Sequence, residues 1–155
     1  MSSEALRLSE FATAVRGSTL KRFVQVPEGS ENWHPTEQAL SFADLAQHLV
    51  DADEWLLRKL VSPQLAGMKA VAGSARIADR AGFLVILERL RILGEKRCEV
   101  ISGLSDAALE TLVFDDRFGR QVSLWWVIVR GNLEHEAHHR GQVASYLRIL
   151  GSPCR

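Results

Sequence analysis

Four segments of this chain place apolar residues at helical spacing, and clear breaks separate them. The first, from Ser3 to about Val24, carries Leu8, Phe11, Ala12, Val15 and Thr19 on one stripe. The segment VPEGSENWHP then gathers Pro27, Gly29, Ser30, Asn32 and Pro35, a loop signature. A second helix is expected with Thr36 as N-cap and Glu37 in its first turn, running to about Val61 before Pro63. Its inward face reads Leu45, His48, Ala52, Trp55 and Leu56. Ser62 to Ser74 reads as a long connection with a short helical turn, a length often used for lids.

The third helix is expected from about Ile77 to Ser102, with Phe83, Leu87, Leu90, Leu93, Gly94, Cys98 and Ile101 on one side and Gly103 ending it. Thr111 to Val122 has two short apolar stretches around DDRFG, where Asp115, Asp116 and Gly119 favour the turn of a small β-hairpin. The last helix is expected from about Ser123 to Leu150, stopping at Gly151 with Pro153 beyond. Four long amphipathic helices in 155 residues predict a single domain over 1–155, an all-α four-helix bundle with a hairpin before its last helix.

Composition narrows the functions. The 19 basic and 19 acidic residues cancel, so no nucleic-acid or anionic-membrane partner is expected, while self-association is tolerated. No apolar run approaches the roughly 18 residues of a bilayer span. Glu4, Arg7 and Glu10 interrupt the apolar residues a signal peptide would need. Cys98 and Cys154 are far apart, with no disulfide framework or CxxC pair, which fits a reducing cytoplasm.

The chemistry-bearing run is NLEHEAHHRGQ, Asn132 to Gln142. His135 and His139 are one helical turn apart, and at about 100° per residue they share a face with Ile128, Gln142 and Tyr146. Imidazoles so spaced can share a divalent ion. His48 lies on the inward stripe of the second helix, and bundles build metal sites from such facing side chains. Three neutral imidazoles suit zinc, nickel or ferrous iron and leave a position open for water or substrate. The plainer alternatives are a hydrogen-bonded core histidine at 48 and an accidental pair at 135 and 139. His34 reads as a surface residue, and Glu134 and Glu136 as solvated charges, one of which could orient an imidazole. The tryptophans read as core.

The run HEAHHRGQ followed by VASYLRILG resembles the closing helix of the DinB-like (damage-inducible, YfiT-type) family of four-helix metalloproteins. SFADLAQHLVDADEW resembles that family's second helix, and FDDRFGRQVSLWWVIV the segment leading into its last one. The resemblance implies a divalent metal held by His48, His135 and His139, and a small-molecule substrate. His138, Gln142, Tyr146 and Trp55 are then expected around the pocket, with Gln142 hydrogen-bonding near the site. For Arg140 it implies a buried salt bridge or dimer contact, and for Gly141 a close helix approach. Some such proteins are thiol S-transferases or isomerases using bacillithiol, mycothiol or glutathione, so a low-molecular-weight thiol cosubstrate is expected, as is a homodimer. A metal-dependent hydrolase and a non-catalytic, stress-associated metal-binding bundle are the alternatives.

Overall fold

The helices start where a short polar side chain takes over a backbone N–H that the first turn leaves unpaired. The computed structural model describes residues 3–64 and 77–152. Ser3 Oγ accepts from Leu6 N to open α1 (Glu4–Phe23). Ser41 and Asp44 exchange side-chain-to-backbone bonds in a capping box that opens α2 (Phe42–Val61). Asp79 accepts from Gly82 N at the head of α3 (Arg80–Ser102). Ser105 caps a single turn, α4 (Asp106–Leu109), which the periodicity did not reveal. Ser123 caps α5 (Leu124–Ile128), which continues through a π-helical turn (Val129–Leu133) into α6 (Glu134–Ile149) as one long rod. Gly151, at φ 74°, takes the left-handed conformation that ends it.

The hairpin is present as β1 (Leu112–Asp115) and β2 (Arg120–Ser123), antiparallel, with Leu112 opposite Ser123 and Asp115 opposite Arg120. Val113 and Val122 face each other across it and are buried, and Gly119 at φ 63° closes the turn. The all-α bundle with a hairpin before its last rod is therefore the architecture, and no helix among the described residues is long and apolar enough to cross a membrane.

Several boundaries and faces differ from the sequence reading. The α2 cap is Ser41, not Thr36; the Thr36 carbonyl instead accepts from Ala39 N in a turn. Ile77 precedes α3 and bonds through its backbone to the Asn32 side chain. Phe11 and Ile149 are 58% and 63% exposed, not inward. The buried stripe of α1 runs through Leu8, Ala12, Arg16 and Thr19, and Phe11 lies about 100° from Ala12. Most of the connection read over 62–74, like Pro153 and Cys154, lies outside the described residues.

Two apolar clusters fill the bundle, one toward each end. The first joins Leu8 and Ala12 of α1, Trp55 and Leu56 of α2, Ile101 of α3, the hairpin valines and Leu133. The second joins Phe23, Phe42, Leu45, Leu49, Phe83, Leu90, Val143 and Leu147. Following each helix from one cluster to the other gives the chain direction. α1 and the last rod run one way, α2 and α3 the other, so consecutive α2 and α3 are parallel neighbours.

Between the clusters lies a layer of buried charge to which each rod contributes. Arg16 (α1) donates to Glu136 Oε1 at 2.8 Å and to Asp53 Oδ2 (α2) at 2.6 Å, and also bonds the Leu90 carbonyl. Arg97 (α3), fully buried, donates to Glu136 Oε2 at 2.7 Å, Asn132 Oδ1 at 2.8 Å and Asp53 Oδ1 at 3.0 Å. Two cations meet two carboxylates, so the layer is neutral and multiply hydrogen-bonded, the condition under which buried charge is tolerated.

Burial alone would raise the Glu136 carboxyl, but the Arg97 charge and the Arg16 hydrogen bond hold it at about 2, against an ordinary 4.5. A carboxyl depressed on folding stabilises the native state above its unfolded value and loses that contribution as pH falls toward the folded one. Stability is therefore expected to drop by roughly 3 kcal/mol as pH falls from 4.5 to 2. Urea melts across that range test it: in Glu136→Gln the slope attributable to this group should vanish. An unchanged slope would assign the acid sensitivity to other groups.

Candidate metal centre

Each ligand candidate sits on an element whose rotation the ionic layer fixes. His48 lies five residues before Asp53 on α2, and His135 and His139 flank Glu136 on α6. Locking Asp53 and Glu136 to the same two arginines sets the facing of the two histidine-bearing helices.

The result is a convergence of three imidazoles. His135 Nε2 lies 2.9 Å from His48 Nε2 and 3.0 Å from His139 Nε2, and one ligand nitrogen from each ring falls within 4.8 Å of the others. A ring nitrogen carries either one hydrogen or one lone pair, so His135 Nε2 cannot satisfy both neighbours by hydrogen bonding. A shared cation can satisfy all three.

Of the other ring nitrogens, that of His139 supports this. His139 Nδ1 is 2.6 Å from Gln142 Oε1, an acceptor, which places the hydrogen on Nδ1 and leaves the Nε2 lone pair free. His48 Nδ1 and His135 Nδ1 are buried without a hydrogen-bond partner among the described residues. Burying such polar atoms is costly unless something compensates. An ion on Nε2 would set both Nδ1 atoms as N–H donors, and of the three rings only His139 has an acceptor among the described residues, Gln142, for that hydrogen.

Electrostatics keep the rings neutral. Burial, then the neighbouring imidazoles and Arg117, pushes His135 down to about 3. Burial lowers His139 to about 4, against the opposing Gln142 hydrogen bond, and burial also lowers His48, opposed by Asp51. All three therefore offer lone pairs at neutral pH.

The residues expected around the centre separate on inspection. Gln142 bonds His139. His138 is exposed and lays its ring 5.0 Å from that of His139. Tyr146 packs edge-on against Trp33 and Phe42 at 5.7 and 5.5 Å, an aromatic cluster two turns beyond His139. Trp55 lies under the Arg117 guanidinium at 4.0 Å. Three expectations fail. Glu136 is not the solvated charge expected: it is buried with both oxygens serving arginines, so it orients no imidazole. The buried salt bridge expected of Arg140, as the alternative to a dimer contact, is absent: Arg140 is half-buried without an ion pair among the described residues, and the buried ion pair of α6 belongs to Glu136. Gly141 is exposed, with open space where a Cβ would stand, so no close helix approach depends on it.

Sequence reasoning missed Arg16, Asp53, Arg97 and Asn132. Their signal was present for Arg16 and Arg97, each one helical turn from apolar stripe residues, Ala12 and Ile101. A hollow of about 360 Å³ between α1 and α3, lined partly by Thr13, Gly17, Gly94 and Cys98, contains none of the histidines and is assigned no chemistry.

Comparison with known proteins agrees with this architecture. Residues 12–143 match the model of the DinB superfamily. The DinB-like protein YjoA of Bacillus subtilis is 18% identical, with 95% of this chain and 93% of that chain covered and a TM-score of 0.71. A DinB-like protein of Bacillus cereus is 20% identical, covering 96% and 93%, with a TM-score of 0.72. YfiT of Bacillus subtilis, described as a probable metal-dependent hydrolase with an unusual four-helix bundle topology, is 17% identical, covering 97% and 89%, with a TM-score of 0.76. At these identities the likeness establishes the fold. No curated protein matches the chain.

Proposed function

The chain belongs to the DinB superfamily, and from that premise we propose that it is a divalent-metal-dependent enzyme acting on a small molecule. His48, His135 and His139 would hold the ion, and the reaction would be transfer of a low-molecular-weight thiol to an electrophile. The observation that carries the reading is the convergence of three Nε2 atoms on buried, neutral rings. An ion held by three protein ligands keeps a position open and lowers the pKa of a thiol or water placed there. The chain's own part is to present three lone pairs, fix the His139 tautomer through Gln142, and exclude water behind the rings with the ionic layer. The thiol cosubstrate rests on the family resemblance. Hydrolysis is the second reading, favoured by the description of YfiT. A homodimer belongs to the same proposal, supported by the cancelled net charge and by exposed Leu84, Val85 and Ile92 on α3.

Metal analysis of protein produced with zinc, nickel or iron supplementation tests the centre, with one ion per chain expected. Bacillithiol, mycothiol and glutathione assayed with a panel of electrophiles, beside ester and amide substrates, then separates transfer from hydrolysis. Protein that binds none of the three metals would remove the proposal. Bound metal that raises the melting temperature without turnover would identify a non-catalytic bundle.

A further inference from the structure

One cation is seated against both of the helical rods that carry the imidazoles and has no role yet assigned. Arg117, from the hairpin turn, is held on several sides. Its Nε and Nη2 donate to the two oxygens of buried Asp115 at 3.0 and 2.7 Å, and its Nη1 donates to the Gly131 carbonyl at 2.9 Å. Its guanidinium lies 4.0 Å from the centre of a Trp55 ring, within cation–π range. Both contacts lead to the candidate ligands: Gly131 is one helical turn before His135, and Trp55 is two turns after His48. Gly131 is required for this seat, since a Cβ there would stand 2.4 Å from Arg117 Nη2.

The seat does not use up the side chain. A guanidinium has five N–H bonds, and three are engaged by Asp115 and Gly131. Two have no acceptor among the described residues, and the side chain remains 37% exposed. Asp115 also feels Lys59, so its charge is not given to Arg117 alone. Capping the Gly131 carbonyl needs only one N–H. A pre-positioned guanidinium with open donors, seated on the rods that carry the candidate ligands, matches an oxyanion.

We propose that Arg117 is the substrate-docking residue of this centre, so that the small molecule it accepts carries a carboxylate or phosphate close to its reacting atom. This rests on the metal-dependent reading.

The test uses cobalt-loaded protein and three simple thiols: 3-mercaptopropionate, 2-mercaptoethyl phosphate and the uncharged 2-mercaptoethanol. The thiolate-to-cobalt absorption band reports binding of each. Wild-type protein is expected to prefer at least one anionic thiol over 2-mercaptoethanol by about tenfold or more, the effect of a hydrogen bond to a charged group. Which of the two is preferred identifies carboxylate or phosphate. In Arg117→Gln the preference should fall to about one. A merely structural Arg117 would weaken all three thiols together and leave the ratio intact, and that result would overturn the proposal, as would absence of preference in wild type. Absence of the band with every thiol would sink the metal reading and this one with it. Should Arg117→Gln not fold, phenylglyoxal labelling of wild-type Arg117 decides the question: the preferred anionic thiol must protect it and 2-mercaptoethanol must not.

Discussion

His135→Ala protein is expected to bind divalent metal about a hundredfold or more weakly than wild type and to lose turnover. Structural zinc in small domains is bound by roughly 10–16 kcal/mol through four ligands, so one ligand is worth about 3 kcal/mol. His135 is the telling choice because its Nε2 faces both other rings. Removing it leaves only His48 and His139, from different helices, to hold the ion. The metal-free state responds differently. There the substitution deletes a buried ring whose Nδ1 has no partner and whose Nε2 faces two competing nitrogens, so much of the packing loss is offset. Thermal melts with and without zinc check both statements. Wild type should gain stability with added metal, as expected of any ligand that binds only the folded state, and the variant should not. Equal metal-dependent gains in the two proteins would show that the ion sits elsewhere.

Arg97→Met is expected to destabilise the fold by about 3–5 kcal/mol, the usual cost of removing one partner from a buried ionic cluster. For a domain of this size that corresponds to a fall of roughly 10 °C in Tm. The cause is specific. Without Arg97 the carboxylates of Asp53 and Glu136 share Arg16 alone, and the Asn132 side-chain and Ala12 main-chain carbonyls lose a donor. A second substitution shows that charge balance is at stake: Arg97→Met combined with Glu136→Gln should cost clearly less than the two single losses added together. Strict additivity would mean that the arginine contributes through packing of its stem. Because Asp53 and Glu136 also set the facing of the histidine helices, Arg97→Met should weaken metal binding as well, although Arg97 is not among the three clustered histidines.

The parts of this structure that were legible in the sequence are those governed by local rules. Helical periodicity located the long rods, DDRFG announced the hairpin, Gly151 marked the last stop, and the four-residue spacing of His135 and His139 placed both rings on one face. The α2 start was misread because Pro35-Thr36 looks like a helix opening, while the true capping box at Ser41 and Asp44 sits directly against Phe42. Phe11 and Ile149 were misplaced because a wheel gives relative angles but not which angle faces the core. Stripe position marks out Arg16 and Arg97, but the pairing that makes the ionic layer was illegible for a deeper reason. Arg16 and Glu136 are 120 residues apart, and nothing local distinguishes a charge that will meet a partner in the core from one that will face solvent. Arg117 was missed likewise, because its seat is assembled from the hairpin, α2 and the π-helical turn.

The way charge is shared among the rods ties closure of the core to the last of them. The three rods that precede the last one contribute Arg16, Asp53 and Arg97 to the layer, two positive charges and one negative. A premature three-helix assembly would enclose an unbalanced cation, which the interior strongly disfavours. Only when Glu136 joins them does closing the middle of the molecule become electrically neutral. The helix that completes the core is also the one that carries His135 and His139, so neutralising the layer and gathering the three histidines depend on the same segment.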